Sequence, residues 1–98
     1  NPTAGGTNAV AIGSGAVAAT NESIALGLNA TVGTSTRGTA LGYSANATGS
    51  QATAISDSVA SGGNSFAAVA DATASATDSI AIGRAATASS TYASCSHS

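Results

Sequence analysis

One short pattern recurs along the whole chain at nearly constant spacing. It is an alanine between two larger residues, and its clearest copies read Val-Ala-Ile-Gly at 10–13, Ile-Ala-Leu-Gly at 24–27 and Ile-Ala-Ile-Gly at 80–83. The recurring alanines, which lie 14, 15, 14, 14, 13 and 12 positions apart, are Ala11, Ala25, Ala40, Ala54, Ala68, Ala81 and Ala93. A unit of this length cannot bury its own apolar face, so successive copies must stack on one another.

The repeat predicts a single domain over residues 1–98. Residues 1–7 form a leading segment, 8–90 hold six repeats, and 91–98 form a distorted last repeat or a tail. Of the residues, 43% are hydrophobic, but most of these are alanine and only 3% of the chain is aromatic. Burial of alanine contributes much less than the roughly 1.5–3 kcal/mol of a Val, Leu, Ile or Phe side chain. The composition therefore implies something beyond an ordinary monomeric core.

The alternation around each alanine predicts β-strands. Successive strand residues point to opposite faces, so alanine lies on one face and mostly Val, Ile, Leu and Thr on the other. A second short strand with small residues at alternate positions follows, as at Ala16 and Ala18. Period two and the β-branched residues argue against a helix. The predicted fold class is all-β, a parallel β-roll (β-solenoid) of two-strand coils of about 14 residues. The predicted roll interior is Ala11, Ala25, Ala40, Ala54, Ala68 and Ala81.

The larger residues beside the alanines are predicted to point out of the coil as a continuous stripe. Such a stripe on a soluble solenoid should bind something, and its best partner is the same stripe on identical chains in closed symmetry. The predicted subunit interface is Val10, Ile12, Ile24, Leu26, Leu41, Ile55, Val69, Ile80 and Ile82. The predicted turn glycines are Gly13, Gly27, Gly42 and Gly83, with Ser56, Ala70 and Cys95 in the corresponding positions of the other copies.

The tandem segments resemble the head repeats of trimeric autotransporter adhesins, the YadA-like family. The best copy runs from Ser79 to Ala88, and the resemblance covers about residues 8–90. Two copies depart from the pattern, because 52–63 and 66–76 lack the turn glycine and Phe66 falls in a position otherwise held by small residues. The resemblance implies a left-handed roll, a homotrimer, and display at the bacterial cell surface through an outer-membrane anchor C-terminal to this chain. It also implies attachment to matrix proteins such as collagen, to host cells or to other bacteria.

Two other functions remain open on the sequence. The segment could be a purely structural spacer of a surface or phage-type fibre, which the repeat fits equally well. It could also be an ice-binding solenoid, although in the predicted solvent-facing column only Thr31 and Thr87 are threonine. Binding of the isolated protein to a matrix ligand would distinguish a head from a spacer. Freezing hysteresis of the protein solution would identify an ice binder.

Few residues are available for chemistry. Cys95 and His97 are too few for a structural zinc site, which needs four ligands, and a frayed tail is the simpler interpretation. Asp71 and Asp78 are expected in solvated turns, and Arg37 and Arg84 at or near turns on the solvent side. No catalytic, metal or cofactor site is predicted, and the protein is expected not to be an enzyme. A net charge of −2 with two arginines excludes a nucleic-acid patch.

Overall fold

The computed structural model of the chain describes residues 2–33 and 37–96. It is an all-β parallel β-solenoid of about six turns with two seven-stranded sheets. Neither described stretch contains a helix, and so no helix there could cross a membrane. Each coil supplies one three-residue strand to the first sheet and one two-residue strand to the second. The predicted fold class, a parallel solenoid with a repeat of about 14 residues, is therefore confirmed.

Both sheets contain every second strand along the chain. Sheet I contains β2 (Val10–Ile12), β4 (Ile24–Leu26), β6 (Thr39–Leu41), β8 (Thr53–Ile55), β10 (Phe66–Ala68), β12 (Ile80–Ile82) and β14 (Ser94–Ser96). Sheet II contains β1 (Thr3–Ala4), β3 (Val17–Ala18), β5 (Thr31–Val32), β7 (Asn46–Ala47), β9 (Val59–Ala60), β11 (Thr73–Ala74) and β13 (Thr87–Ala88). The ladders thus begin within the leading segment 1–7 and extend into 91–96.

Backbone hydrogen bonds join each coil to the next at the turns as well as along the strands. The N–H of Asn29 donates to the carbonyl of Ser14 at 2.9 Å, and that of Glu22 donates to the carbonyl of Thr7 at 2.8 Å. Neighbouring parallel strands lie about 4.8 Å apart, so the stack of strands accounts for the 34 Å length of the molecule. The roll is only 12 Å thick in its shortest dimension, which leaves room inside for small side chains alone.

Small side chains fill the roll interior. The middle residue of each sheet I strand points inward, and the inward column that results is Ala11, Ala25, Ala40, Ala54, Ala67, Ala81 and Cys95. Its central members are fully buried, whereas Ala11 and Cys95 are half-buried in the end coils. A second inward column precedes these strands and includes the buried hydroxyls of Ser23, Ser65 and Ser79. Each hydroxyl donates to the carbonyl three residues earlier, at 2.6 to 2.7 Å.

One residue of the predicted roll interior, Ala68, is wrong, and Ala93 of the recurring alanines also lies outside the inward column. Ala68 pairs with Ile55 and Ile82, so it points outward, and Ala67 takes its place in the interior. Cys95 pairs with Ala81, so it replaces Ala93 in the column and is not a turn residue. The true steps along the column are 14, 15, 14, 13, 14 and 14 residues. The last coil is therefore of ordinary length in its described part.

The shift arises at the turn 56–58, which is one residue shorter than its counterparts. In the other coils an N–H donates to the carbonyl three residues earlier, as from Ala30 to Gly27. Here the N–H of Ser58 donates to the carbonyl of Ser56, two residues earlier. The Ser58 side chain is buried, and its hydroxyl lies 2.9 Å from the carbonyl oxygens of Ile55 and Ala67. The second strands shift accordingly, so Ser58, Ala60, Ala72 and Ala74 fill the interior.

The one long coil has its extra residue between Val32 and Thr39, a stretch that includes the undescribed residues 34–36. The coils of 13 and 15 residues thus both differ from the others between strands and not within them. The ladder from Ile24 to Thr39 keeps the same register as its neighbours. A coil can therefore gain or lose one residue at a corner without exchanging its inner and outer faces.

The first residue after each of the sheet I strands β2 to β12 has a positive φ. Glycine provides it at Gly13, Gly27, Gly42 and Gly83, with φ between 112 and 126°. Ser56 and Val69 occupy the corresponding positions with φ values of 64 and 81°, so the prediction of Ala70 there is wrong. A β-branched residue rarely adopts this conformation, because its side chain crowds the backbone.

Replacing Gly27 with alanine is expected to lower the free energy of unfolding by about 2 kcal/mol. A Cβ there would lie 2.6 Å from the carbonyl oxygen of Gly42, so the next coil must move. The matched control is Ser56→Ala, which keeps an existing Cβ at the corresponding position and should cost less than about 0.5 kcal/mol. Urea unfolding followed by circular dichroism measures both, and equal losses would contradict a glycine requirement at position 27.

Candidate interaction surface

The outer side of sheet I carries an apolar surface along most of the roll. The first and third residues of its strands point outward, as the register and the alternating burial show. We call this surface the aliphatic face and define it as Val10, Ile12, Ile24, Leu26, Thr39, Leu41, Thr53, Ile55, Phe66, Ala68, Ile80 and Ile82. Several of its side chains are well exposed in the single chain, from 38% for Ile24 to 61% for Ile12. No other element of the described chain covers this face.

Most of the predicted interface residues lie on this face. The structure places Val10, Ile12, Ile24, Leu26, Leu41, Ile55, Ile80 and Ile82 there. Val69 is the exception, because it occupies the turn position with φ 81° and is not paired within sheet I. Its side chain is 42% exposed and lies at the corner of the coil, beside the face.

The predicted interface left out four residues of the face, Thr39, Thr53, Phe66 and Ala68. Phe66 pairs with Thr53 and Ile80, so its ring lies in the column of larger residues and not among small ones. The serines provide a signal that could have found it. Ser65 precedes Phe66 as Ser23 precedes Ile24 and Ser79 precedes Ile80, and alignment on these serines gives the correct register.

The outer side of sheet II differs in character. Its outward column is Thr3, Val17, Thr31, Asn46, Val59, Thr73 and Thr87. It contains two threonines, Thr3 and Thr73, beyond the two that the sequence prediction counted. Val17, Asn46 and Val59 still interrupt the array, so the threonines do not form a continuous row.

Two rows of turn residues border the aliphatic face. The leading edge lies two positions before each sheet I strand, and all of its described members have positive φ. The trailing edge lies two positions after each strand, beyond the turn glycine. The leading edge consists of Asn8, Glu22, Arg37, Gln51, Asn64, Asp78 and Tyr92. The trailing edge consists of Ser14, Leu28, Tyr43, Asp57, Ala70 and Arg84. Both predicted arginines therefore lie at turns, but on opposite sides of the face.

Within residues 2–33 and 37–96 there is one ion pair. The Nε of Arg37 lies 2.9 Å from the Oε1 of Glu22, one coil away on the same edge. Both side chains are more than half exposed, so the pair contributes no more than about 1 kcal/mol. Arg84, Asp57, Asp71 and Asp78 make no ion pair with the described part of their own chain.

Neither a cavity nor a group of potential metal ligands occurs among the described residues. Cys95 is a free cysteine, half-buried in the alanine column. His97 lies outside the described residues, so the predicted frayed tail stays a prediction. The surface that remains for function is the outside of the roll.

Comparison with protein-family models identifies the repeat. The model described as the YadA head domain repeat (two copies) matches residues 4–30, 34–55, 56–84 and 74–94, which is nearly the whole chain. A search of curated proteins gave no match. The matched family consists of head domains of adhesins and is not a family of enzymes. With its parallel two-strand coils and this match along its length, the chain belongs to the YadA head-domain repeat family and is a YadA-like head domain of a trimeric autotransporter adhesin.

Proposed function

We propose that this head domain works as a closed homotrimer that attaches bacteria to matrix proteins such as collagen, to host cells or to other bacteria. The observation that carries the proposal is the aliphatic face, which runs along the roll and is exposed in the single chain. At about 10 Å across three strand residues and about 30 Å along the stack, it covers roughly 300 Å². The largest apolar patch of a typical monomer has about this size and is often functional.

Closed symmetry suits this face better than any other arrangement. The face runs along the stack of sheet I strands, so rotation about an axis parallel to the roll brings its coils together with those of the other copies. Three chains are what the family relationship implies, and it also implies that the coils are left-handed. The interior of the roll is thin and holds small residues, whereas the larger apolar side chains lie outside it. These side chains can be buried only against neighbouring chains, which supports the proposed assembly.

The ligand is proposed to bind over a broad area of the surface through many contacts, each of which is weak. The described residues form no cavity, so a small ligand has no place to be enclosed. A repetitive outer surface presented three times around an axis fits an extended partner instead, because several weak contacts act together. The outer side of sheet II would be exposed for this contact. Display at the cell surface, with an anchor in the outer membrane, completes the proposal.

The mass of the purified protein, measured by light scattering behind size exclusion, tests the assembly. We expect a folded β-rich species with about three times the 9.0 kDa mass of the chain. A folded monomer at micromolar concentration would contradict the proposed interface.

A binding experiment then separates an adhesive head from a structural spacer. The folded oligomer is passed over immobilised collagen and over immobilised albumin as a control. We expect saturable binding to collagen or to another matrix protein tested in the same way. A spacer would bind none of them, and absence of binding to matrix proteins, host cells and bacteria would favour that alternative.

Ice binding is the weaker alternative. Thr3, Thr31, Thr73 and Thr87 share the outward column of sheet II, but three other residues separate them into short groups. Freezing hysteresis of the purified protein tests this function directly. A hysteresis gap that the Thr31→Leu variant loses would favour ice binding over adhesion.

A further inference from the structure

The two edges of the aliphatic face have a fixed relation in any closed ring. Within one coil, the leading-edge and trailing-edge residues lie on opposite sides of the same three-residue strand. Rotation about an axis parallel to the roll keeps every residue at its own height. The leading edge of one copy therefore meets the trailing edge of the next copy in the same coil, whatever the number of chains. This relation rests on the proposed function, because it assumes that the aliphatic face is buried in the ring.

The charges on the two edges are complementary under this relation. In the coil of β12, Asp78 lies on the leading edge and Arg84 on the trailing edge. Within one copy, strand β12 and the residue on either side of it lie between them. Neither makes an ion pair with the described residues of its own chain. Arg84 is exposed and Asp78 half-buried, so both can reach a neighbour.

The other coils bring no like charges together. Each leading-edge charge faces a neutral side chain, with Glu22 opposite Leu28 and Arg37 opposite Tyr43. The trailing-edge Asp57 faces the neutral Gln51 of its coil. A displacement by one coil would lose the pairing of Arg84 with Asp78, since it would place Arg84 opposite Asn64 or Tyr92. In the first of these displacements Asp57 would face Arg37, which already forms an ion pair with Glu22 of its own chain. The edge sequences thus fit a ring in which all copies lie at one height.

We propose that the Arg84 guanidinium of one copy binds the Asp78 carboxylate of the neighbouring copy, which makes these two residues an interchain ion pair at the border of the aliphatic face. The partner is a second copy of this chain, recognised by charge complementarity in the coil of β12. A charged pair at the rim of an apolar interface contributes to register and partner choice more than to affinity.

Charge reversal tests the pair. Arg84→Asp and Asp78→Arg each place like charges opposite each other at every interface of the ring. We expect each variant to dissociate at protein concentrations at least about tenfold higher than the wild type, by light scattering over a dilution series. The double variant Asp78→Arg/Arg84→Asp restores opposite charges and should return to within about threefold of the wild type. In about 1 M salt the difference should shrink, because the Debye length falls to about 3 Å.

The control is Asp57→Arg, which makes the same change of charge as Asp78→Arg but lies on the trailing edge, where it faces the neutral Gln51. It should leave the dissociation within about threefold of the wild type. An oligomeric wild type whose single variants are unaffected, or whose double variant is not restored, would overturn the ion pair and leave the proposed assembly standing. A folded monomeric wild type would overturn both.

Cross-linking gives a second measurement that does not depend on charge. Asp78→Cys and Arg84→Cys are combined with Cys95→Ala, which restores the alanine column. A short bis-maleimide should link neighbouring copies into covalent oligomers on a denaturing gel. In the control, Asp57→Cys replaces Asp78→Cys, so that both thiols lie on the trailing edge. Equal yields of linked chains from the two variants would overturn the proposal.

Discussion

Replacing Ala54 with leucine is expected to lower the free energy of unfolding by about 3 kcal/mol or more. Ala54 is fully buried in the middle of the inward column, with Ala40 and Ala67 stacked directly on either side. The roll is 12 Å thick, so three additional carbon atoms can be accommodated only by separating the two sheets. Denaturant unfolding followed by circular dichroism measures the loss.

The adjacent residue provides the matched control for this change. Thr53 belongs to the same strand but points outward onto the aliphatic face. Thr53→Leu should therefore change the free energy of unfolding by less than about 1 kcal/mol, with no loss of β-structure. If Ala54→Leu is tolerated as well as Thr53→Leu, the interior is not packed by the alanine column.

A lysine in place of Ile80 is expected to weaken assembly by more than about 100-fold. Ile80 lies on the aliphatic face, so in the proposed ring each copy would bury an unpaired ammonium group close to those of its neighbours. An unpaired buried charge costs roughly 3 kcal/mol or more, which corresponds to about a 150-fold change in dissociation constant. Sedimentation or light scattering across a dilution series measures this change.

Val59→Lys is the matched control, because the single chain exposes the two side chains almost equally. Ile80 is 40% exposed and Val59 is 37% exposed, but Val59 points outward from sheet II. Val59→Lys should alter the dissociation constant less than about threefold, since its surroundings stay in water. Similar effects of the two lysines would place the interface elsewhere, and no effect from Ile80→Lys would exclude sheet I from it.

The repeat, the strands and the division into inner and outer faces could be predicted from the sequence. The signal is strong wherever an alanine stands between two larger residues, as around Ala25 and Ala81, because only one of the three positions fits inside a thin roll. The lengths of the coils vary by one residue, and the spacing of the alanines alone does not show where this happens. The repeat found from the sequence agrees with the match to the YadA head domain repeat.

The register of the fifth coil could not be predicted from its alanines. The segment 66–70 offers three alanines in close succession, and local alternation is compatible with more than one of them. Pairing with Thr53 and Ile80 decides in favour of Ala67. That choice depends on the shortened turn at Ser58, whose buried hydroxyl fills the interior where an alanine lies in other coils. The interface prediction failed at Val69 for the same reason.

The direction of the coil-to-coil hydrogen bonds has a mechanical consequence. They run along the 34 Å axis of the roll, so a pull on the two ends of a chain acts directly on the bonds between neighbouring coils. Each coil contacts mainly its two neighbours and can detach in turn from an end of the stack. A detached coil of 14 residues lengthens the chain by about 40 Å, after its former rise of about 5 Å is subtracted. Under load the roll therefore lengthens stepwise, by a similar amount for each coil that detaches.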